Sequence, residues 1–268
     1  MTLVEVALLA IVRGLAEALG LSASGAEVAV TELVAPGRAS AAVEAAIAFG
    51  AALAVAVAVR RRIAMMFGEV VRAITRPALF ARAPGGRDAV LVVVALSASA
   101  GVYALIRASL TPWQSSPVAA GVGLLVTSVG LLSTAVAPRG TAEAPSLAGA
   151  LLIGIAHGAA GFPGASRLAA ALILSLWLGV RPARAVEFAL LMTAVTLLAA
   201  ASSASFSARE GADFAAVAIG VTLAFASALL GAWGLRSLTV KRRLAALALC
   251  TVPLGLALLA YARALPSS

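Results

Sequence analysis

The sequence predicts an all-α polytopic membrane protein with six transmembrane helices and two re-entrant helical hairpins in an inverted repeat. Of its 268 residues, 62% are hydrophobic and only 12% are charged. Soluble domains are instead about half apolar and a quarter charged, so both a soluble domain and a disordered chain are excluded. The apolar residues occur in blocks of about twenty, which is the length of a helix that crosses a bilayer. Strands of a membrane barrel would alternate apolar and polar residues instead.

Six stretches satisfy the requirement for a full span, because each holds about 20 mainly apolar residues. They are residues 41–59, 89–106, 118–136, 185–201, 214–235 and 244–262. Residues 1–268 are predicted to form a single integral-membrane domain.

Two further apolar regions, residues 3–34 and 147–178, are too long for one helix and too broken for two full spans. The first is interrupted by Arg13, Glu17 and Ser22-Ala23-Ser24-Gly25, and the second by Gly161-Phe162-Pro163-Gly164-Ala165-Ser166-Arg167. We expect each region to form a half-helix, a turn and a second half-helix. Irregular backbone at membrane depth is tolerated only where protein or a watery cavity satisfies its polar groups. Both turns should therefore face an internal cavity.

The two hairpin regions also resemble each other. Arg13-Gly14 aligns with His157-Gly158, and in the same register Gly20-Leu21-Ser22 aligns with Gly164-Ala165-Ser166. Chance similarity in an alanine-rich chain is one explanation. The pattern is better explained by a duplicated unit of about 143 residues. Repeat one would cover about 1–144 and repeat two about 145–268. Each unit holds one hairpin and three spans, and an odd number of spans places the second copy upside down in the membrane.

The basic residues predict the orientation. The loops after the first, third and fifth spans hold most of them: Arg60, Arg61, Arg62, Arg72, Arg76, Arg82, Arg87, Arg139, Arg181, Arg236, Lys241, Arg242 and Arg243. The opposite side holds isolated arginines: Arg38, Arg107, Arg209 and Arg263. The positive-inside rule places the first group in the cytoplasm and both termini outside. Basic cytoplasmic loops thus account for the net charge of +9 without a nucleic-acid partner.

The second hairpin carries a candidate anion site. We expect Ser166 to lie near the N-terminus of the second half-helix, where backbone N–H groups and the helix dipole attract anions. Arg167 adds a planar fork of donors that suits phosphate oxygens. Gly164, Ser166 and Arg167 are therefore predicted to bind phosphate. The alternative is an arginine that extends to the interface or pairs with a carbonyl.

The first hairpin carries candidate catalytic groups. Arg13 and Glu17 are four residues apart and share one helix face. Close to the hydroxyl of Ser22 or Ser24, the Glu17 carboxylate could act as a general base or orient a nucleophile. Arg13 and Glu17 could equally form a structural ion pair, and both interpretations stay open. No cluster has the ligand spacing of a zinc site, so no metal ligand is predicted.

These residues resemble a known family. Gly14-Leu15-Ala16-Glu17-Ala18-Leu19 followed by Ser22-Ala23-Ser24-Gly25 is similar to the E-G-L-T-E-F-L-P-V-S-S-T-G-H motif of the undecaprenyl-diphosphatases, also called bacitracin-resistance proteins. Pro163-Gly164-Ala165-Ser166-Arg167 is similar to the P-G-x-S-R-S-G motif of the same family. Order and spacing agree over essentially the whole chain, which is identified as a divergent member.

The resemblance implies a bacterial inner-membrane hydrolase that removes the terminal phosphate of undecaprenyl diphosphate at the outer face. That reaction recycles the lipid carrier for peptidoglycan synthesis in the cell wall. The partner would be a polyprenyl diphosphate or phosphate lipid, and a homodimer is left open. The resemblance further implies catalysis by Glu17 with Ser22 or Ser24, with phosphate contacts from Arg167, Ser166, Gly164 and, in this chain, Arg13. It also implies a divalent cation, Mg²⁺ or Ca²⁺.

Three departures from the family motif bear on the reaction. Arg13, Ala23 and Ala26 stand where the family has a glutamate, the second serine and a histidine. Two carboxylates four residues apart could share a magnesium ion with a diphosphate, whereas Arg13 should repel the cation. Ala23 replaces the proposed nucleophile of the family. Hydrolysis, transport of a polyprenyl phosphate and binding without turnover therefore all stay open.

Overall fold

The computed structural model describes residues 1–34, 37, 39–207 and 213–264, apart from the side chains of residues 81 and 204–207. Within these ranges the regular structure is helical, and one isolated bridge joins Ala142 to Val180. The all-α prediction is therefore confirmed. The α-helices are α1 Leu3–Leu19, α2 Ala23–Leu33, α3 Ala41–Ala58, α4 Arg60–Thr75, α5 Leu79–Arg82, α6 Pro84–Leu110, α7 Pro117–Ser133, α8 Leu147–Ala159, α9 Arg167–Trp177, α10 Pro182–Ser207, α11 Phe214–Val240 and α12 Ala248–Ala264. Short 3₁₀ helices cover Thr111–Trp113 and Leu244–Leu247.

In the described part of the chain, five helical segments are long and apolar enough to cross a membrane. They are Ala41–Ala58, Pro84–Trp113, Pro182–Ser203, Phe214–Val240 and Leu244–Ala264. Each coincides with one of the six predicted spans, and they confirm a membrane protein. The predicted span 118–136 corresponds to α7, which has only 17 residues. Near its end the hydroxyls of Ser133 and Thr134 bond to the carbonyls of Gly130 and Leu131, a local pattern that competes with helix continuation.

The basic segment after the first span is helical rather than a loop, because its sequence is amphipathic. Ile63, Phe67, Val71 and Ile74 recur at helical spacing along α4, and all four are exposed. The Glu69 carboxylate accepts hydrogen bonds from the backbone N–H groups at the start of α6, at 2.6 and 2.8 Å. Helix α4 is thereby attached to the N-terminus of the next span.

Each of the two predicted hairpin regions consists of two helices separated by a turn. Helix α1 ends before Gly20, which has φ 76°, and α2 begins after Ser22, which has φ 100°. Helix α8 ends at Ala159, and α9 begins after Ser166. In the second turn Gly164 has φ 78°. Glycine adopts a positive φ at little steric cost, so Gly20 and Gly164 suit these two turns.

Each hairpin packs against one long helix. Helix α1 lies along α11, and α8 lies along α6, while α3 pairs with α10 and α7 with α12. The close approach depends on glycine. A Cβ on Gly14 would come within 2.7 Å of the Ala224 carbonyl, and one on Gly158 within 2.5 Å of the Ser99 carbonyl. Small residues at these two contacts therefore allow each hairpin to sit against its neighbour, as is common between membrane helices.

A buried ionic cluster joins the ends of α4, α6 and α10. Asp88 is 3% exposed and accepts hydrogen bonds from Arg62 and, at 2.7 Å, from Arg184. Arg184 also pairs with Glu187 on its own helix. Each buried charge thus has an opposite partner, which is the condition under which burial of charge is tolerated.

Candidate functional site

A cavity of about 320 Å³ lies between the turns of the two hairpins. Both turns contribute to its wall, so the expectation that they face an internal cavity is confirmed. The polar lining residues are Arg13, Glu17, Ser22, Ser24, Glu27, Tyr103, Gln114, Ser166, Arg167 and Thr196. Six of the seven predicted site residues therefore line one cavity, and the seventh, Gly164, is not among its lining residues.

Arg13 forms an ion pair with Glu27 and not with Glu17, the carboxylate four residues away in the sequence. Its Nη1 atom lies 3.4 Å from the Oε2 atom of Glu27, across the hairpin on α2. The two side chains are 19% and 30% exposed, so the pair remains in contact with the cavity. Glu17 follows Arg13 by one turn of α1 and is half-buried. Its carboxylate interacts electrostatically with both Arg13 and Arg167. The cavity thus contains two carboxylates and two guanidinium groups.

Glu27 is the main functional candidate that sequence reasoning missed. A signal was present, because an ionisable residue within an apolar hairpin is costly and therefore a candidate by default. Glu27 lies one position beyond Ala26, where the motif compared in the sequence ends, so the motif did not include it. Only the packing of α2 beside α1 places its carboxylate at Arg13.

The two candidate nucleophiles occupy different environments. Ser22 is the N-cap of α2: it is 2% exposed, and its Oγ accepts a hydrogen bond from the Gly25 N–H at 3.1 Å. Ser24 is half-buried, and its Oγ lies 3.4 Å from that of Ser22. The Gly164 N–H donates to the Ser24 Oγ at 3.1 Å. Ser24 is therefore the more accessible hydroxyl, and its oxygen also joins the two hairpins.

Two hydrogen bonds of Ser166 hold the second turn, one within α9 and one to α7. Ser166 caps α9, with its Oγ accepting from the Ala169 N–H at 3.2 Å. Its backbone N–H donates to the Thr127 hydroxyl at 3.0 Å. Gly164 packs so tightly that a Cβ there would lie 2.0 Å from the Ala120 carbonyl. Gly164 and Ser166 thus shape the turn, and their backbone N–H groups already have protein acceptors.

Arg167 is the first residue of α9, and its guanidinium carbon lies 4.5 Å from the centre of the Tyr103 ring. The cation–π contact occupies the face of the guanidinium group. Its N–H donors lie in the plane of the group, so they can still bind the oxygens of a phosphate. Tyr103 therefore orients Arg167 without consuming its hydrogen-bonding capacity.

The donor set of the cavity does not fit a divalent cation held by the protein alone. Among the described residues, no group of three or more histidine, cysteine, aspartate or glutamate side chains could hold a metal ion. The lining offers the carboxylates of Glu17 and Glu27, and one of them is paired with Arg13. Two arginines in the same space would compete with a cation for anionic ligands.

Three polar lining residues carry no recognisable motif: Tyr103 on α6, Gln114 in the following connection and Thr196 on α10. Their positions are set by the packing of long helices around the turns. The single histidine, His157, is fully buried and does not line the cavity. Its Nδ1 atom lies 2.8 Å from the Ser99 hydroxyl. This location fits a packing role for His157.

One comparison with known proteins gives a match over nearly the whole chain. The model of the family described as bacitracin resistance protein BacA matches residues 6–257. The matched range contains both turns and every residue of the cavity wall. No curated protein matches the chain.

Proposed function

Because the chain belongs to the bacitracin resistance protein family, we propose that it removes the terminal phosphate from a polyprenyl diphosphate such as undecaprenyl diphosphate. Membership confirms the resemblance predicted from the sequence. The observation that carries the proposal is the shared cavity, in which Glu17 of one hairpin and Arg167 of the other face the same space. Substrate binding and proton transfer can therefore take place at one point.

In this proposal the arginines bind the diphosphate. Arg167 offers a planar set of donors that matches two phosphate oxygens, and Tyr103 supports its orientation. Arg13, which belongs to the first hairpin, adds a second positive charge to the cavity. The polyprenyl chain stays in the bilayer, where its transfer to water would be unfavourable. Hydrogen bonds between ionised groups are about twice as strong as neutral ones, so two arginines suit a multiply charged headgroup.

Glu17 then acts as general base and Ser24 as nucleophile. The Ser24 oxygen attacks the terminal phosphorus, the bond from phosphorus to the bridging oxygen breaks, and the hydroxyl proton passes to Glu17. The lipid monophosphate leaves with the bridging oxygen, whose negative charge Arg167 stabilises. Glu17 passes its proton to the phosphate of the departing lipid and is again a carboxylate. Water then attacks the phosphorus of the phosphoserine and gives a proton to Glu17. The bond from phosphorus to the Ser24 oxygen breaks, Glu17 returns the proton to that oxygen, and inorganic phosphate leaves. Ser22 is less suited, since its oxygen caps α2 and is nearly inaccessible.

We further propose the inverted-repeat architecture. Gly20 and Gly164 both have left-handed φ, and each is followed two residues later by a serine that caps the second half-helix. The equivalent packing of α1 on α11 and of α8 on α6 also supports this proposal. A site between broken helices near the midplane is typical of such folds.

The cavity is proposed to open to the outside of a bacterial inner membrane. Gln114, in the connection after α6, lines it, whereas the arginine-rich segments at the other helix ends do not. By the positive-inside rule those basic segments are cytoplasmic, so the termini and the α6–α7 connection lie outside. Two of the arginines used for this prediction, Arg38 and Arg209, lie outside the described residues.

A second candidate function is transport of a polyprenyl phosphate without hydrolysis. The specific observation in its favour is that both candidate nucleophiles already have hydrogen-bonding partners: Ser22 with Gly25 and Ser24 with Gly164. With Ala23 at the family's nucleophile position, the cavity could bind the lipid phosphate and lack turnover. Arg167 would then serve recognition alone.

Phosphate release from undecaprenyl diphosphate by the purified protein in detergent tests the proposal. We expect Glu17→Gln to lower the rate by about 10²–10⁴, the usual contribution of a general base. Arg167→Ala should lower it by about 10–100-fold through lost charge-assisted hydrogen bonds. Glu143→Gln and Arg107→Ala are matched controls, because both residues are exposed and outside the cavity. No release by the wild type, with lipid movement in proteoliposomes that Arg167→Ala abolishes, would favour transport.

A further inference from the structure

A second cavity, of about 330 Å³, lies where α3 ends and α4 begins. Ala48 on α3 lines the first cavity and Ala58 lines the second, so the two are separated by about 15 Å along that helix. The charged residues that line the second cavity are Arg60, Arg61, Arg62, Arg236 and Glu187. None of these residues lines the first cavity, so the two sites are distinct.

The acidic groups around the second cavity are already neutralised. Asp88 accepts hydrogen bonds from Arg62 and Arg184, and Glu187 pairs with Arg184 and, at 3.7 Å, with Arg236. Arg60 and Arg61 form no ion pair with any carboxylate among the described residues. The cavity therefore keeps a surplus of positive charge that no described protein group balances.

We propose that this cavity binds a phosphate anion, either free or in the headgroup of a phospholipid with a net negative charge. Basic residues on the cytoplasmic side are expected from topology alone, where they would be separately solvated. Here arginines from two helices, α4 and α11, instead converge on one concave space whose volume lies in the range of small-ligand sites. Guanidinium groups match phosphate oxygens in geometry and charge.

Apolar side chains beside the second cavity favour a lipid as the source of the phosphate. Ile63 and Phe67 lie on α4 within two turns of Arg60 and are 37% and 71% exposed. These side chains could contact acyl chains while the arginines hold the headgroup. Basic pockets between helices on the cytoplasmic side are suited to anionic lipids in this way.

Binding of three probes to the full-length protein in detergent tests the proposal: inorganic phosphate, short-chain phosphatidylglycerol and short-chain phosphatidylcholine. The Arg167→Ala background removes the main anion-binding group of the first cavity. In that background we expect phosphate or phosphatidylglycerol to bind, and Arg61→Gln or Arg236→Gln each to weaken binding about tenfold, the effect of one lost charge-assisted hydrogen bond. Arg72→Gln is the matched control, since Arg72 is exposed on α4 and outside the cavity.

The probes distinguish the two sources. Binding of phosphatidylglycerol alone, lost in the cavity variants, identifies a lipid headgroup. Binding of inorganic phosphate with the same dependence on arginine identifies free phosphate. The proposal is overturned if neither anion binds, if phosphatidylcholine binds as tightly, or if Arg72→Gln weakens binding as much as the cavity variants do. Hydrolysis does not enter this measurement, so failure of the proposed phosphatase activity would leave its result unchanged.

Discussion

The guanidinium of Arg13 lies 3.4 Å from the carboxylate of Glu27, so an ion pair crosses the first hairpin from α1 to α2. The pair places a positive and a negative side chain next to each other in the lining of the cavity. Arg13 carries a positive charge on α1, and Glu27 supplies a carboxylate from α2. The cavity wall therefore holds the carboxylates of Glu17 and Glu27, with the Arg13 guanidinium beside Glu27.

We expect Glu27→Gln to strengthen binding of undecaprenyl phosphate, because Arg13 would lose its competing anion. A partly exposed ion pair is worth about 1 kcal/mol or less, so the gain should not exceed about fivefold. Arg13→Gln should weaken binding of the same lipid. Equilibrium binding in detergent measures both effects. Glu32→Gln is the control, since Glu32 lies on the same helix and bonds to Tyr261 outside the cavity. A loss of affinity in Glu27→Gln would contradict this account.

We expect Ser24→Ala to abolish phosphate release and Ser22→Ala to act on stability. Ser22 caps α2, and loss of an N-cap costs about 0.5–2 kcal/mol of unfolding free energy. Ser24 is the accessible hydroxyl beside Gly164. Phosphate release and thermal unfolding, measured on both variants, separate the two roles. If Ser24→Ala keeps full activity while Ser22→Ala loses it at unchanged stability, the assignment of the nucleophile is wrong.

We expect phosphate release to be insensitive to a chelator of divalent cations. In the proposed mechanism the positive charges of Arg13 and Arg167 take the place of a cation in neutralising the diphosphate, and they would repel a cation from Glu17. Release measured with and without EDTA checks this expectation. A rate that falls to the background on chelation and returns with Mg²⁺ would show that the arginines do not substitute for the metal.

We expect Gly164→Ala to destabilise the protein more than Gly179→Ala does. Both glycines have left-handed φ, 78° and 77°. An alanine at either position costs about 1–2 kcal/mol in backbone strain. At Gly164 the added Cβ would also meet the Ala120 carbonyl at 2.0 Å, whereas at Gly179 nothing lies within 4 Å. Overpacking typically adds about 1–3 kcal/mol. Chemical unfolding of both variants measures the difference, and equal losses would mean that the turn relaxes freely.

The hairpins were predictable because their signals are local. Interrupted apolar runs predict a break at membrane depth, and glycine and serine at the break predict a turn with a capped second helix. Gly20, Ser22, Gly164 and Ser166 have these conformations and contacts in the structure. The all-α class and the apolar spans follow in the same way from the composition and the lengths of the apolar blocks.

The amphipathic helix α4 was missed although its signal is also local. The arginines of this segment indicated a basic loop, and that feature outweighed the recurrence of Ile63, Phe67, Val71 and Ile74 at helical spacing. The buried pairing of Asp88 with Arg62 and Arg184 was missed for a different reason. The three residues come from separate segments of the chain, and no pattern in the sequence relates them.

The sequence by itself determined the membrane class, the two broken hairpins and most of the cavity residues, because chain-local features dictate them: the lengths of apolar runs, the breakers between them and the motifs beside the breakers. The tertiary structure alone decided which side chains meet. Arg13 pairs with Glu27, Arg167 stacks on Tyr103, and the Gly164 N–H bonds to Ser24. Each contact joins separate helices or turns, and its distance depends on how the helices pack, a property that no single segment of the sequence contains.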